Sequence, residues 1–389
     1  MRWRFPDPSD RRAERERQAI LSRIDAWWAE FRTKTADLDA LFSAKKQWDL
    51  PGWMHRHLGA ISEHLMWEFG PIKDGYRLVI TPEAHKNLHP LIDVVLSRAP
   101  QLSGWTFVRA RQPDDVEVME QAVEAKTGER LGAKDVVVAR GEANGVDLSF
   151  VMDRPGDEEA DSARCFYASE SLVGEELLDK WVGVIEPVAR PPKGHHVSLE
   201  RVHETVKSVV AATRDQMPAQ PMWQRVIADK VTSFQLKPET AHDYPGRADL
   251  IVASSRLPEP WIHFHQGRIF YSERFSRCGE SFCYLKLDAS EWPPKERVER
   301  RARIEDPLDE ALTAADVGTV IGGGSGIMYS YIDLLLGDVE QALPVIRSVC
   351  RRQKAPMRSW LLFWDSVWRD EWLPIWDEAP SPPMVVDDE

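Results

Sequence analysis

Over residues 12–44 the apolar side chains Ile20, Ile24, Trp27, Trp28, Phe31, Leu38, Leu41 and Phe42 recur near helical spacing, which predicts an amphipathic helix or helical pair. A second helical stretch, HRHLGAISEHL, follows Pro51-Gly52. It leads into two short β-type runs, MWEFG and YRLVITPE, joined by a turn at Lys73-Asp74-Gly75, the pattern of a hairpin. In NLHPLIDVVLSRAP, Leu88, Leu91, Ile92, Val95 and Leu96 share a helical face and Pro90 fits a first turn, after which WTFVRAR resumes as a strand. The order strand, strand, helix, strand then repeats loosely. It runs through a helix over 116–127, strands DVVVAR and VDLSFVMD, an acidic loop GDEEADS, a strand RCFYAS and a helix over 174–184.

PVARPPKG, with Pro187, Pro191 and Pro192, is the most linker-like segment of the chain. Beyond it a helix over 199–213 precedes DLIVASS, WIHFHQGRIFYSERF and FCYLKLD, which read as a β-meander turning at Gln266-Gly267. From FCYLKLD onward the pattern spells β-α-β-β-α-β, the ferredoxin-like order. Val339, Ala342, Leu343, Ile346, Val349 and Cys350 form the apolar stripe of its second helix, which Pro344 must kink or shorten. The expected fold is therefore α+β, with two or three domains of mixed and antiparallel sheets. Its segments are a helical stretch 1–50, an α+β domain 51–186, a linker, helix and meander 187–275, and a ferredoxin-like domain 276–389 with a Trp-rich extension.

That extension, SWLLFWDSVWRDEWLPIWDE, places a tryptophan at 360, 364, 368, 372 and 376. Trp360 and Trp364 share one face of a strand, and Asp365-Ser366 is a turn able to cap a short helix on which Trp368 and Trp372 align, stopped by Pro374. Large aromatics usually supply core area, but tryptophan is also enriched where proteins bind partners. Both roles are open for Trp368 and Trp372.

Composition narrows the function classes. The chain has 389 residues, 43% of them hydrophobic and 29% charged, and no run near the roughly 18 apolar residues of a membrane span. The charged N-terminus lacks the apolar core of a secretory signal, and the four cysteines are too scattered for a disulfide framework; both features predict a cytoplasmic protein. A net charge of −13 opposes attraction to phosphates, so neither nucleic acid nor membrane is an expected partner.

Candidate chemistry is sparse. The run Gly322, Gly323, Gly324, Ser325, Gly326 lacks the third glycine and the following helix of a dinucleotide loop, and no Lys-Ser/Thr completes a P-loop. It reads as a hairpin connection or a bulge, or as a ligand or partner loop beside Tyr329, Tyr331 and Asp333. His263 and His265 would share a face of a strand, and with Cys278 and Cys283 they offer a tetrahedral zinc set. His55, His57 and His64 do not spell His-Glu-x-x-His, and no Gly-x-Ser-x-Gly elbow is present. Glu68, among apolar neighbours, reads as a strand-end carboxylate.

The residues LMWEFG…YRLVITPEAHKNLHPLIDVVLSRAPQLSGWTFVRARQP resemble the bacterial proteins grouped as domain of unknown function 695. Glu68, Thr81, Glu83, Pro100 and Trp105 occupy that pattern, while His85 and Lys86 stand where a Gly-Asn pair is more familiar. The C-terminal GGGSGIMYSYIDLLLGDVEQALPVIRSV…WLLFWDSVWRDEW is similar to a module of such proteins. The resemblance implies an α+β fold and a bacterial origin and brings no catalytic residues; some proteins of this make-up look like immunity or regulatory partners of toxins. The leading expectation is a non-catalytic module that binds a protein partner without a cofactor. The alternatives are a zinc-dependent hydrolase built on His263, His265, Cys278 and Cys283, and a small-ligand sensor.

Overall fold

The computed structural model describes residues 1–7, 9–154, 156–225 and 230–384. Three units follow one another along the chain, each with its own sheet and apolar core. The fold is α+β with mixed and antiparallel sheets, as the pattern predicts.

The first unit contains α1 (Arg11–Phe42), α2 (Leu50–Ile61), β1 (Met66–Ile72), β2 (Gly75–Thr81), α3 (His89–Ser97) and β3 (Trp105–Val108). The side chain of Asp10 accepts from the Arg12 and Ala13 amides, and Asp49 accepts from Gly52 N–H, so both long helices begin at a carboxylate cap. The apolar stripe of α1 closes over the sheet, and the Trp28 indole N–H donates to the Val95 carbonyl at 2.8 Å. β1 and β2 form the predicted hairpin, and β3 returns parallel to β2 after α3.

The second unit contains α4 (Val116–Thr127), β4 (Ala133–Arg140), β5 (Val146–Met152), α5 (Glu158–Val173), α6 (Glu175–Trp181), β6 (Val182–Val188), β7 (His195–Ser198) and α7 (Val202–Gln216). Its sheet runs β6-β5-β4-β7, again with an antiparallel hairpin followed by a helical crossover to a parallel strand. The strand-strand-helix-strand repeat is thus physical. Two expectations fail here. RCFYAS is not a strand but the middle of α5, whose buried Cys165, Ala168 and Leu172 follow helical spacing. The acidic loop before it is the first turn of that helix, capped by Asp157 and carrying Glu158, Glu159 and Asp161 at the positive end of its dipole. The proline-rich stretch 187–194 joins β6 to β7, the two edges of one sheet, and α7 packs into the same core. A domain boundary at 186/187 would cut this unit in two; the cores instead divide between 107 and 119.

The third unit contains β8 (Thr232–Gln235), β9 (Leu250–Ser255), α8 (Pro258–His265), β10 (Ser281–Asp288), α9 (Arg297–Ala314), β11 (Gly318–Gly326), β12 (Tyr329–Leu336), α10 (Val339–Arg352), β13 (Ser359–Phe363) and β14 (Trp372–Pro374). Its seven strands run β14-β13-β10-β12-β11-β9-β8, and the inner four with α9 and α10 carry the β-α-β-β-α-β order. The helices cover one face of the sheet; α8 and the segment 241–249 contribute to the cover on the other. The expected linker, helix and meander segment 187–275 is therefore divided between two units, its helix going to the second and its strands to the third, and WIHFH is helical. Pro258 in its first turn and Gly267, left-handed at φ +69°, just past its end are the start and stop signals that the sequence reading passed over.

The first residues of the chain dock onto the last unit. The Trp3 and Arg4 amides donate to Glu371 Oε1 at 2.6 and 2.9 Å, and the Phe5 amide donates to Oε2 at 2.9 Å. Phe5 stacks on Phe363 at 5.1 Å between centroids.

Candidate functional site

The glycine run lies inside β11, between β9 and β12, and is not a hairpin connection. A Cβ on Gly322 would stand 2.1 Å from the Ser254 carbonyl oxygen, and one on Gly324 2.7 Å from that of Val252, so these glycines admit a neighbouring strand. Gly322 sits at φ +155° where the register slips, which is the bulge reading. Gly323, Gly324 and Gly326 are buried and present no loop to a ligand or partner.

Tyr329, Tyr331 and Asp333 are brought together, but under cover. Asp333 accepts from Arg247 at 2.6 and 3.3 Å, the Tyr331 hydroxyl donates to Asp249, and the Tyr329 hydroxyl donates to Asp243 at 2.6 Å. Lys286, on the neighbouring strand and fully buried, donates to the Tyr244 carbonyl and lies 4.0 Å over the Tyr329 ring. Burial lowers its amine to about 7 against the pull of Asp249 and Asp243, and burial raises the Asp333 carboxyl above its usual range although Arg247 opposes this.

The zinc set is not assembled. His263 and His265 lie on a helix, where residues two apart diverge, rather than on a strand. His263 shares a hydrogen bond with the Ile269 carbonyl at 3.1 Å, and the His265 ring stacks on Trp261 at 4.9 Å. Cys283 is buried on the helical face of the sheet, opposite the aromatic face that His263 contacts through Phe270 and Phe275, and Cys278 lies in a loop beside Pro218. Among the described residues no group of three or more His, Cys, Asp or Glu is placed to hold a metal ion.

The tryptophans divide between the two faces. Trp360 and Trp364 are buried on the aromatic face. The predicted helix after Asp365 is a single turn, Ser366–Trp368, followed by β14, so Trp368 and Trp372 do not align: Trp368 packs edge-on to Phe5 and Phe363, and Arg2 lies 3.8 Å over Trp372. The chain's own first residues occupy the rings expected to receive a partner.

A concave site lies elsewhere, where the three units meet. This cleft of about 320 Å³ is walled by α3 from the first unit, α6 and Arg214 from the second, and the segments 271–281 and 365–368 from the third. At its third-unit wall the Ser272 amide donates to Asp365 Oδ1 at 2.7 Å, the Ser272 hydroxyl donates to Oδ2, and the Phe282 amide donates to that hydroxyl at 3.0 Å. Burial pushes the Asp365 carboxyl up to about 6; the Ser272 donors oppose this and the neighbouring Glu273 adds to it. Tyr271, only 4% exposed, has its phenol raised above the ordinary value, first by burial and then by Asp179 and Asp365.

Across the cleft, burial and the cations of Arg109, Lys86 and Lys180 lower His89 to about 4, so its imidazole is neutral near pH 7. Its Nε2 is buried without a hydrogen-bond partner. Glu175, which accepts from the Thr81 hydroxyl and from Arg111 N–H at 2.9 Å, ties the first unit to the second, and burial raises its carboxyl. Of these residues, sequence reasoning singled out only Trp368; the others lie on three units and share no motif. A signal did exist in His89 and Asp365, polar residues at element boundaries, the second read only as a helix cap.

Comparison of the chain with protein-family models, with curated proteins and with solved structures returns no match. Among the described residues no helix is long and apolar enough to cross a membrane.

Proposed function

We propose that this protein is a small-ligand-binding regulatory protein whose ligand sits in the cleft between the three units. The observation that carries the reading is a cavity walled by all three units and lined by Tyr271, whose hydroxyl has no protein partner among the described residues, and by His89, whose buried Nε2 has none. Buried polar atoms normally find a partner, and a cavity with convergent polar groups and perturbed acids is where ligands bind. A ligand there touches α3, α6 and the 365–368 turn together, so binding favours one arrangement of the units over others. The partner-binding reading through Trp368 and Trp372 loses its support because Phe5 and Arg2 cover those rings.

The test is a thermal-shift screen against a metabolite library with wild type and Asp93→Trp in parallel. Asp93 is exposed on α3 at the rim, so an indole there fills the cleft without disturbing a core. A compound at 100 times its dissociation constant adds about 2.7 kcal/mol, and the rise should vanish in the variant. Failure of every compound to stabilise wild type, or equal stabilisation of both proteins, would sink the reading.

A further inference from the structure

Resting on that reading, we infer that the cleft selects a small zwitterion, a molecule of free-amino-acid size carrying an ammonium group and a carboxylate. Most charges lining the cleft are already matched. Asp93 and Glu176 lie 3.4 and 2.7 Å from Arg109, and Glu273 lies 3.1 Å from Lys180. Asp179 is paired with Lys86. Glu175 and Glu280 are filled by donors, Glu280 by the Met222 amide at 2.8 Å and the Ser276 hydroxyl. Glu175, Glu280 and Asp365 are thus alike in having neutral donors and no ion-pair partner, and Asp365 is the one of the three set beside Tyr271 and Trp368 in the lining. Asp365 is hydrogen-bonded by Ser272 but faces no cation, and the half-buried guanidinium of Arg214 has neither an ion-pair nor a hydrogen-bond partner among the described residues.

A cation and a carboxylate without ion-pair partners, contributed to one cavity by two different units, are the complement of a dipolar ligand. A simple amine would leave Arg214 without a partner, and a simple acid would leave Asp365 without a cation; each omission forfeits a charge-assisted hydrogen bond. The phenol of Tyr271 is independent of this count. It lines the cleft, is more than nine-tenths buried and has no hydrogen-bond partner among the described residues, although buried tyrosine hydroxyls usually find one. Its oxygen can accept from an ammonium that Asp365 also holds. The neutral imidazole of His89 adds a nitrogen that can donate to a carboxylate or accept from an ammonium, according to its tautomer. A cavity of about 320 Å³ is at the small end of ligand pockets, which suits a free amino acid better than a nucleotide.

The experiment is calorimetric titration of the full chain with three sets of probes: free amino acids and γ-aminobutyrate, the diamines putrescine and cadaverine, and the acids acetate and succinate. A zwitterion should bind while the diamines and the acids do not. Arg214→Met and Asp365→Asn should each weaken it roughly tenfold to a hundredfold, the scale of one charge-assisted hydrogen bond. Circular dichroism confirms that both variants are folded. Binding of diamines or acids that Asp93→Trp abolishes would overturn the zwitterion and keep the cleft. Zwitterion binding indifferent to Asp93→Trp would overturn both, and no binding by any probe would overturn the zwitterion and leave the cleft to the library screen.

Discussion

Two of the regions of this molecule that hold buried charge are built on opposite plans. On the aromatic face of the third unit, Arg247 grips Asp333, Tyr331 donates to Asp249, and Lys286 is bound by a carbonyl and a ring, with 243–249 closing over them. In the interdomain cleft Asp365, Arg214, Tyr271 and His89 keep open valences toward a cavity. The first region explains why charged residues in central strands are not by themselves a site: once matched and covered, they specify packing. The second shows what distinguishes a binding surface, namely polar groups held rigidly yet left unsatisfied.

The largest effect should come from breaking the matched network. Arg247→Leu leaves the Asp333 carboxylate buried without its partner and should cost about 3–5 kcal/mol in urea denaturation. A loss under 1 kcal/mol would mean that the network is no more closed than the cleft.

Next in size are two opposed pH dependences within the cleft. His89 falls from 6.5 to about 4 on folding, so the native state binds fewer protons than the unfolded one. Stability is full above 6.5 and is lost as pH falls through that window. Asp365 rises from 3.8 to about 6, so its contribution is full below 3.8 and is lost as pH rises through 6. Each is worth on the order of 3 kcal/mol. His89→Gln should therefore flatten the acid side of the stability curve, and Asp365→Asn should be more stable than wild type at pH 7.5 and nearly equal to it at pH 3.5. Denaturation midpoints across pH 3.5–8 check both, and parallel curves for all three proteins would refute the assignment.

The smallest effect concerns Glu371, a matched carboxylate outside either region. Glu371→Ala strands three amides and should cost about 2 kcal/mol, with faster hydrogen exchange at the Trp3, Arg4 and Phe5 amides reporting their release.

Much of the architecture was legible in the sequence. The periodicity of α1, the Lys73-Asp74-Gly75 hairpin and the β-α-β-β-α-β order all rest on local spacing and turn chemistry, which a sequence displays directly. The failures came where a local signal was outvoted. Phe166 and Tyr167 make RCFYAS look like a strand, but Phe166 is half exposed and the buried stripe runs through Cys165, Ala168 and Leu172. The proline-rich 187–194 reads as a linker because composition cannot say that its two ends return to one sheet. The cleft was almost invisible, since His89, Arg214, Tyr271 and Asp365 converge only through packing. The tryptophans misled for a related reason: whether Trp368 and Trp372 are free depends on Arg2 and Phe5, at the far end of the chain.

That last contact also sets a clock. Glu371 lies 368 residues downstream of Trp3. At translation rates of roughly 5–20 residues per second, Trp3 and Phe5 leave the ribosome on the order of 20–70 s before their acceptor exists. The Trp3 ring packs in the first unit's own core, but Phe5 lacks its native neighbours Phe363 and Trp368 until the third unit is made. Docking of the first residues is among the last native contacts to form, a closing step whose timing reports that synthesis has passed residue 371.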